Sequence, residues 1–310
     1  MIFLITGGAG FLGAALANRL VRQGHKVRAL DDCSAGNPAN LHKDVEFTKG
    51  DINEKPLLWS LLQNVDCVFH LAARVSVPES QLYPGDYNRV NVSGTVTLME
   101  AIRDTGIKRI VMASSGAVYG HQDEVPYRET LEPHPQSPYA VSKLSAEYYV
   151  RQISQTVGTE AVILRIFNAY GPGQRVTPSH PPIIANYLYH AITNGSIVIH
   201  GDGTQTRDYI YVDDVVNAMT AAATASKVDQ EIINIGSGAE TSVLELVRLV
   251  RDITQRKPEE IFNQHKSGGI DRMCADITKA YEKLNYVPMT NLELGLRLTI
   301  ERDPTLSKAS

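Results

Sequence analysis

The sequence predicts an α/β fold in which a parallel sheet is covered by helices on both faces. Three observations predict it. Short apolar runs alternate along the chain with longer segments of helical spacing. The runs are apolar throughout, as strands buried on both sides are. The first run ends in glycines that lead into a helical pattern.

Residues 1–6 (MIFLIT) form that first strand, and 11–23 carry Phe11, Leu12, Ala15, Leu16 and Leu20 at helical spacing. Further strands are predicted at 26–31, 45–48, 66–71, 107–113 and 160–166, with helices near 54–64, 88–105 and 137–157. After residue 168 the rhythm changes. The stretch 170–182 (YGPGQRVTPSHPP) is a Gly/Pro-punctuated loop. Helices follow at 183–194, 213–225, 242–255 and 292–302, with short strands at 197–200, 207–212 and 231–235. The expected division is therefore 1–167 for a first domain, which the chain rejoins around 207–235, and 168–310 for a smaller second one.

Length and composition narrow the function classes. A chain of 310 residues is long enough for two domains. With 43% hydrophobic and 21% charged residues it resembles ordinary globular proteins, not disordered or collagen-like chains. A net charge of -4 gives no reason to expect nucleic acid or an anionic membrane as partner. No run reaches the roughly 18–20 apolar residues of a membrane helix, and MIFLI lacks the basic flank of a signal peptide. Cys33, Cys67 and Cys274 form no CxxC pair, so a reducing cytoplasm is the expected compartment. No HxxxH or HExxH spacing is present, and no metal is expected.

The turn TGGAGFLG places Gly7, Gly10 and Gly13 between strand and helix, with Phe11 and Leu12 opening the helix. Glycines there let the backbone approach a pyrophosphate, whose charge sits on the helix N-terminus. The next strand ends in Asp31, followed by Asp32. A carboxylate about 20 residues past the glycines accepts ribose hydroxyls and repels a 2′-phosphate. The predicted cofactor is NAD, not NADP. Asp51 and Ile52 after the third strand, and Leu71, Ala72 and Ala73 after the fourth, fit a dinucleotide lying along the strand ends.

Tyr139 and Lys143 fall on one face of the predicted helix 137–157. An ammonium beside a phenol stabilises the phenolate, so the Tyr139 pKa is expected below its ordinary value of about 10. That suits an acid–base catalyst. Ser115, in ASSGAVYG at the end of the fifth strand, stands where parallel sheets bind ligands and could hydrogen-bond a substrate oxygen.

With these motifs in order, the sequence resembles the extended short-chain dehydrogenase/reductases, and within them the NAD-dependent sugar-nucleotide epimerases and dehydratases. The resemblance runs from TGGAGFLG through HLAARVSVPES, NVSGT, SSGAVYG, YAVSK, RIFNAYGPGQ, GDGTQTRDYIYVDD and INIGSG to ADITKA. It implies a Rossmann-like doubly wound parallel sheet that binds NAD, a smaller α/β C-terminal domain for a nucleotide-sugar, and a homodimer formed through the helices at 88–105 and 137–157.

Family members that eliminate water or decarboxylate carry an acid just before VYG; here Gly116 and Ala117 stand there. Nor is there a Cys shortly after the Ser, as in the GDP-fucose synthase type. What remains resembles the 4-epimerases of the UDP-glucose/UDP-galactose type, which act through a transient 4-keto sugar. The resemblance implies that Ser115, Tyr139 and Lys143 are catalytic and that Asn168 and Arg207 grip the diphosphate. It places His200 where an aromatic packs against uracil. Two positions depart from the pattern. The stretch HKSGGIDRMCADITKA has Lys266 near a usual Arg and Gly269 near a usual acid, leaving Arg272 either as a substitute or as a surface residue. Arg175 in YGPGQR matches members that accept UDP-glucuronate, where an Arg faces the C6 carboxylate, so UDP-glucuronate 4-epimerisation is the alternative. A net 4-ketoreductase would share every catalytic residue, and it or a dehydratase of the same family is a further alternative. A non-catalytic NAD-binding relative would be expected to have lost one of them.

Overall fold

The computed structural model describes residues 1–175, 181–264 and 269–307. The main sheet is built from β1 (Ile2–Thr6), β2 (Lys26–Asp31), β3 (Glu46–Lys49), β4 (Cys67–His70), β5 (Arg109–Ser115), β6 (Glu160–Ile166) and, after a long excursion, β11 (Glu231–Ile235). Its order is β3-β2-β1-β4-β5-β6-β11, and every pairing is parallel. The order reverses between β1 and β4, which opens a crevice at the carboxyl ends of those strands.

Alternation of side chains explains the unbroken apolar runs. Phe3 and Ile5 of β1, Phe69 of β4 and Val111 of β5 enter one core, while Leu4, Val68 and Ile110 enter the other. The first core is closed by α1 (Phe11–Arg22) and α8 (Val212–Thr224), which pack on each other. The second is closed by α2 (Lys55–Leu61), α5 (Gly94–Thr105) and α6 (Pro138–Val157). Ser137 caps α6 by accepting from the Ala140 N–H at 3.1 Å, and Gly158, at φ 73°, ends it. No helix among the described residues is long and apolar enough to cross a membrane.

Several elements differ from the sequence reading. The expected helix 88–105 begins as a π-helical turn at Asn88–Ser93 before α5. Two short helices, α3 (Val77–Leu82) and α4 (Pro84–Tyr87), precede it. The expected strand 207–212 is divided at Asp208 into β9 (Thr206–Arg207), antiparallel to β12 (Thr241–Ser242), and β10 (Tyr209–Tyr211), parallel to β7 (Asn168–Tyr170). The remaining pair joins β8 (Ser196–His200) to β13 (Glu259–Asn263) in parallel. Around these lie α7 (Ile183–Ile192), α9 (Val243–Thr254), α10 (Thr278–Leu284) and α11 (Leu292–Arg302).

Asp208 is the reason for the division. Its buried carboxylate accepts from the Ser237 N–H and hydroxyl, both at 2.6 Å, from Gly238 N at 3.0 Å and from Ala275 N at 3.1 Å. One side chain thus gathers the loop after β11 and the segment before α10 around β9 and β10. Removing it leaves several buried N–H groups unpaired. Asp208→Ala should lower unfolding stability by about 3 kcal/mol, checked by urea denaturation; a loss within error of zero would remove this knot from the fold's supports.

Candidate active site

The glycine turn is shaped by close backbone approaches. Gly7 has φ +69°, and a Cβ there would lie 2.7 Å from the Ala72 nitrogen. A Cβ on Gly13 would lie 2.1 Å from the Gly7 oxygen. Gly10 is different: the only atom within contact range of its Cβ would be the Gly7 oxygen, at 3.2 Å. The space above Gly10 is therefore open, and it lies at the start of α1, whose N-terminus no side chain caps. Phe11 and Leu12 begin that helix and lean on the core. An open cradle at an uncapped N-terminus fits a pyrophosphate.

Asp31, at the carboxyl end of β2, is buried and accepts from Ala9 N at 3.0 Å and Cys33 N at 2.9 Å. Burial pushes its carboxyl up, against these backbone donors. The bonds aim it at the glycine turn. Asp32 is exposed and accepts from the Ser34 N–H and hydroxyl through one oxygen. Asp51 is bonded to Asn53 and, at 2.9 Å, to Arg89, while Ile52 is buried against Gly94. Leu71, Ala72 and Ala73 are half-buried after β4, with Leu71 N on Thr6 O at 3.1 Å.

Ser115, Tyr139 and Lys143 meet at the carboxyl end of β5. The Ser115 hydroxyl, which accepts from the Ala117 N–H at 3.2 Å, lies beside the Tyr139 phenol and favours its ionised form. Lys143 is buried and donates to the Ala113 carbonyl at 2.8 Å. The expected downward shift of the Tyr139 phenol is not found: burial pushes it up, and Ser115 only partly opposes this. The Lys143 ammonium is turned to a β5 carbonyl, and burial pushes it down to about 8. Desolvation sets the direction of the shift, and the Lys143 ammonium is spent on the β5 carbonyl.

The sequence did not point to the polar groups behind this pair. His70, on β4, is buried between Thr6 and Thr95, each at 2.8 Å, and is pushed down to about 3 by burial. It is neutral at any working pH. The Asn91 carboxamide, in the π-helical turn, binds both the N–H and carbonyl of Arg74 and donates to Ser142 at 2.9 Å. Glu147 and Arg165 form a buried bidentate pair. Of these, Glu147 carried a signal: it continues the spacing of Tyr139 and Lys143 by another four residues.

The remaining candidates lie in the second part of the chain. Asn168 donates to the Asp208 carbonyl at 3.2 Å. The Arg207 guanidinium, mostly buried, is held by the carbonyls of Thr206 at 2.7 Å and Ile270 at 2.6 Å. A Cβ on Gly269 would lie 3.5 Å from its Nη2. Arg272 is exposed and paired with Glu240, which also accepts from Thr206. His200 is exposed at the end of β8, and Arg175 is exposed beside the undescribed stretch 176–180. Lys266 lies outside the described residues.

Fold and glycine turn together define a dinucleotide-binding α/β chain of the doubly wound class. Residues 3–236 match the NAD dependent epimerase/dehydratase family, and the chain belongs to that family, among the extended short-chain dehydrogenase/reductases. Its cofactor is NAD. A UDP-glucose 4-epimerase of Mycolicibacterium smegmatis is 36% identical over 96% of this chain and 97% of its own. The crystal structure of a Thermotoga maritima UDP-glucose 4-epimerase with UDP-glucose superposes with TM-score 0.93 at 35% identity, covering 97% of this chain and 98% of that one. A Bacillus cereus UDP-glucuronic acid 4-epimerase, in complex with UDP-glucuronic acid and NAD, superposes with TM-score 0.90 at 31% identity, covering both chains fully (100% each).

The ribose role of Asp31 is open to measurement. Asp31→Asn removes the charge that repels a 2′-phosphate yet keeps an acceptor for the backbone. NAD affinity should fall about tenfold and the preference over NADP should shrink, read by calorimetric titration with both dinucleotides. Unchanged selectivity would separate Asp31 from the ribose.

Proposed function

We propose that the chain is an NAD-dependent 4-epimerase of a UDP-sugar of the glucose/galactose type. The observation that carries the reading is the convergence of Ser115, Tyr139 and Lys143 at the end of β5, in the sheet that carries the open glycine cradle. In this reading Gly7, Gly10, Phe11, Leu12, Gly13, Asp31, Asp51, Ile52 and Leu71 to Ala73 border the dinucleotide. When bound, NAD supplies a reversible hydride acceptor and, oxidised, a positive ring that opposes the burial of the phenol.

Tyr139 takes the proton from the sugar 4-hydroxyl as the 4-keto sugar forms, and returns it to the same oxygen after the sugar has turned over. Ser115 holds that oxygen through both halves. Lys143, still an ammonium at neutral pH, is the fixed positive charge nearest this exchange on α6. Arg207 and Asn168 hold the diphosphate while the hexose rotates; a guanidinium held in place by two carbonyls suits that role. Net redox change is zero, so the cofactor is regenerated in each cycle. A dehydratase would need an acid where Gly116 stands. A Cβ there would already be 3.2 Å from the Phe167 ring.

One feature favours a second substrate. The loop carrying Arg175 is pinned by Gly173 N on Asp303 at 2.8 Å and by Gln174 on the Ala169 carbonyl at 3.0 Å. A cation on a pinned loop could face the C6 carboxylate of UDP-glucuronate. We further propose a homodimer through α5 and α6, supported by exposed Val141, Tyr148 and Tyr149 on α6. Three free thiols support a reducing, cytoplasmic setting. The domain division at 167/168, with α8 and β11 returned to the first domain, belongs to the same proposal.

Tyr139→Phe should lower UDP-galactose turnover by about a thousandfold while NAD still binds, read by product chromatography and cofactor absorbance; near-normal turnover would end the acid–base assignment. Arg175→Ala should reduce kcat/KM for UDP-glucuronate about tenfold or more relative to UDP-glucose. An equal effect on both sugars would confine Arg175 to the loop.

A further inference from the structure

Successive residues of β5 engage α6 one by one. Ser115 lies beside Tyr139, the Ser114 hydroxyl donates to Glu147, and the Ala113 carbonyl accepts from Lys143. The α6 partners are spaced by four residues and form one stripe down the helix. Glu147 is 2% exposed. Arg165, from β6, closes on it with Nε–Oε1 at 3.0 Å and Nη2–Oε2 at 2.7 Å. Arg165 in turn lies over the Tyr119 ring at 4.6 Å, and the Tyr119 hydroxyl donates to Asn234 at 2.7 Å.

A buried ion pair is weak support for stability, since apolar residues of similar size are often as good. An account from packing alone would therefore put an apolar residue at position 147. The carboxylate instead sits one turn behind the Lys143 ammonium, with donors on two sides. We propose that Glu147 is a positioning residue of the catalytic pair, holding α6 in register on the end of β5 and setting the charge state of Lys143. The reaction readout rests on the 4-epimerase reading above.

The facing groups set the sign. Lys143 senses Glu147 one turn on along α6 and lies near neutral His70 from β4. Glu147 faces Ser114 and Arg165, and the cavity beside it is bordered also by Glu129, Glu132, Tyr148 and Arg151. Burial lowers the Lys143 pKa to about 8, and Glu147 works against that fall. Without the carboxylate the ammonium loses its proton at lower pH, and the alkaline limb of turnover moves down with it.

The test uses Glu147→Gln and the double variant Glu147→Gln/Arg165→Gln, which leaves no unpaired buried charge. Two readouts are followed: kcat and KM against pH with a UDP-sugar, and the NMR titration of the Lys143 Cε signal, assigned by its loss in Lys143→Met. The Lys143 midpoint should fall by about one pH unit in Glu147→Gln, and by less in the double variant, where the Arg165 charge goes with the carboxylate. At pH 8, kcat of Glu147→Gln should drop about fivefold with KM little changed. A folded variant with the parental midpoint and alkaline limb overturns the proposal. If the single variant does not fold, the double variant decides by the same criteria. If the parent chain epimerises no UDP-sugar, the functional reading fails, while the NMR midpoint still judges Glu147.

Discussion

Everything in the site depends on how α6 is seated against the carboxyl end of β5. The helix brings an ammonium into a place with almost no water, which is costly unless the charge is met by fixed dipoles or an opposite charge. The Ala113 carbonyl is such a dipole, and Glu147 such a charge. Because the same stretch of β5 also presents Ser114 and Ser115, solvating the lysine and positioning the phenol are a single packing event. Sliding α6 by one turn would unpair every rung together. The glycine turn then needs only to approach from β1, and the adjacency of β1, β4 and β5 brings it there.

This seating also explains which parts were legible in the sequence. Gly7 and Gly13 announce themselves because no side chain fits against Ala72 or the Gly7 carbonyl. Asp31 is legible because a strand followed at once by a carboxylate leaves that group at the sheet's edge. Tyr139 and Lys143 share a face by helix geometry alone. The direction of the phenol's shift was not legible, because it depends on how much water α6, β5 and the π-helical turn exclude, and none of that is local in sequence. Arg165 is hidden for the same reason: inside an apolar strand run it reads as an interruption, and only Glu147 from α6 makes it a partner. The division of 207–212 escaped because Asp208 is satisfied by residues far along the chain, at 237, 238 and 275.

The substrate side is built on a different principle. The dinucleotide side is mostly backbone: glycines, strand ends and an uncapped helix, with little side-chain freedom to lose on binding. The arginines of the second part must be held in place. Arg207 is held by carbonyls from Thr206 and Ile270, on chain segments that Asp208 draws together. Arg272, by contrast, is neutralised by Glu240 in an exposed pair. Pairing of that kind lowers its pull on an anion.

That difference bears on how the reaction can invert a centre without losing its intermediate. The grip must be strong where the chemistry does not occur and weak around the hexose. A carbonyl-braced arginine on short strands meets the first requirement. The second is favoured next to Ser115, where Gly116 and Ala117 have no polar side chain to fix a sugar face. In the proposed reading one side of the sugar is left to Ser115 and Tyr139, which would bind the single oxygen common to both epimers' paths. A site that held more hydroxyls would favour one face, and the hydride would return to the face it left, regenerating the starting sugar.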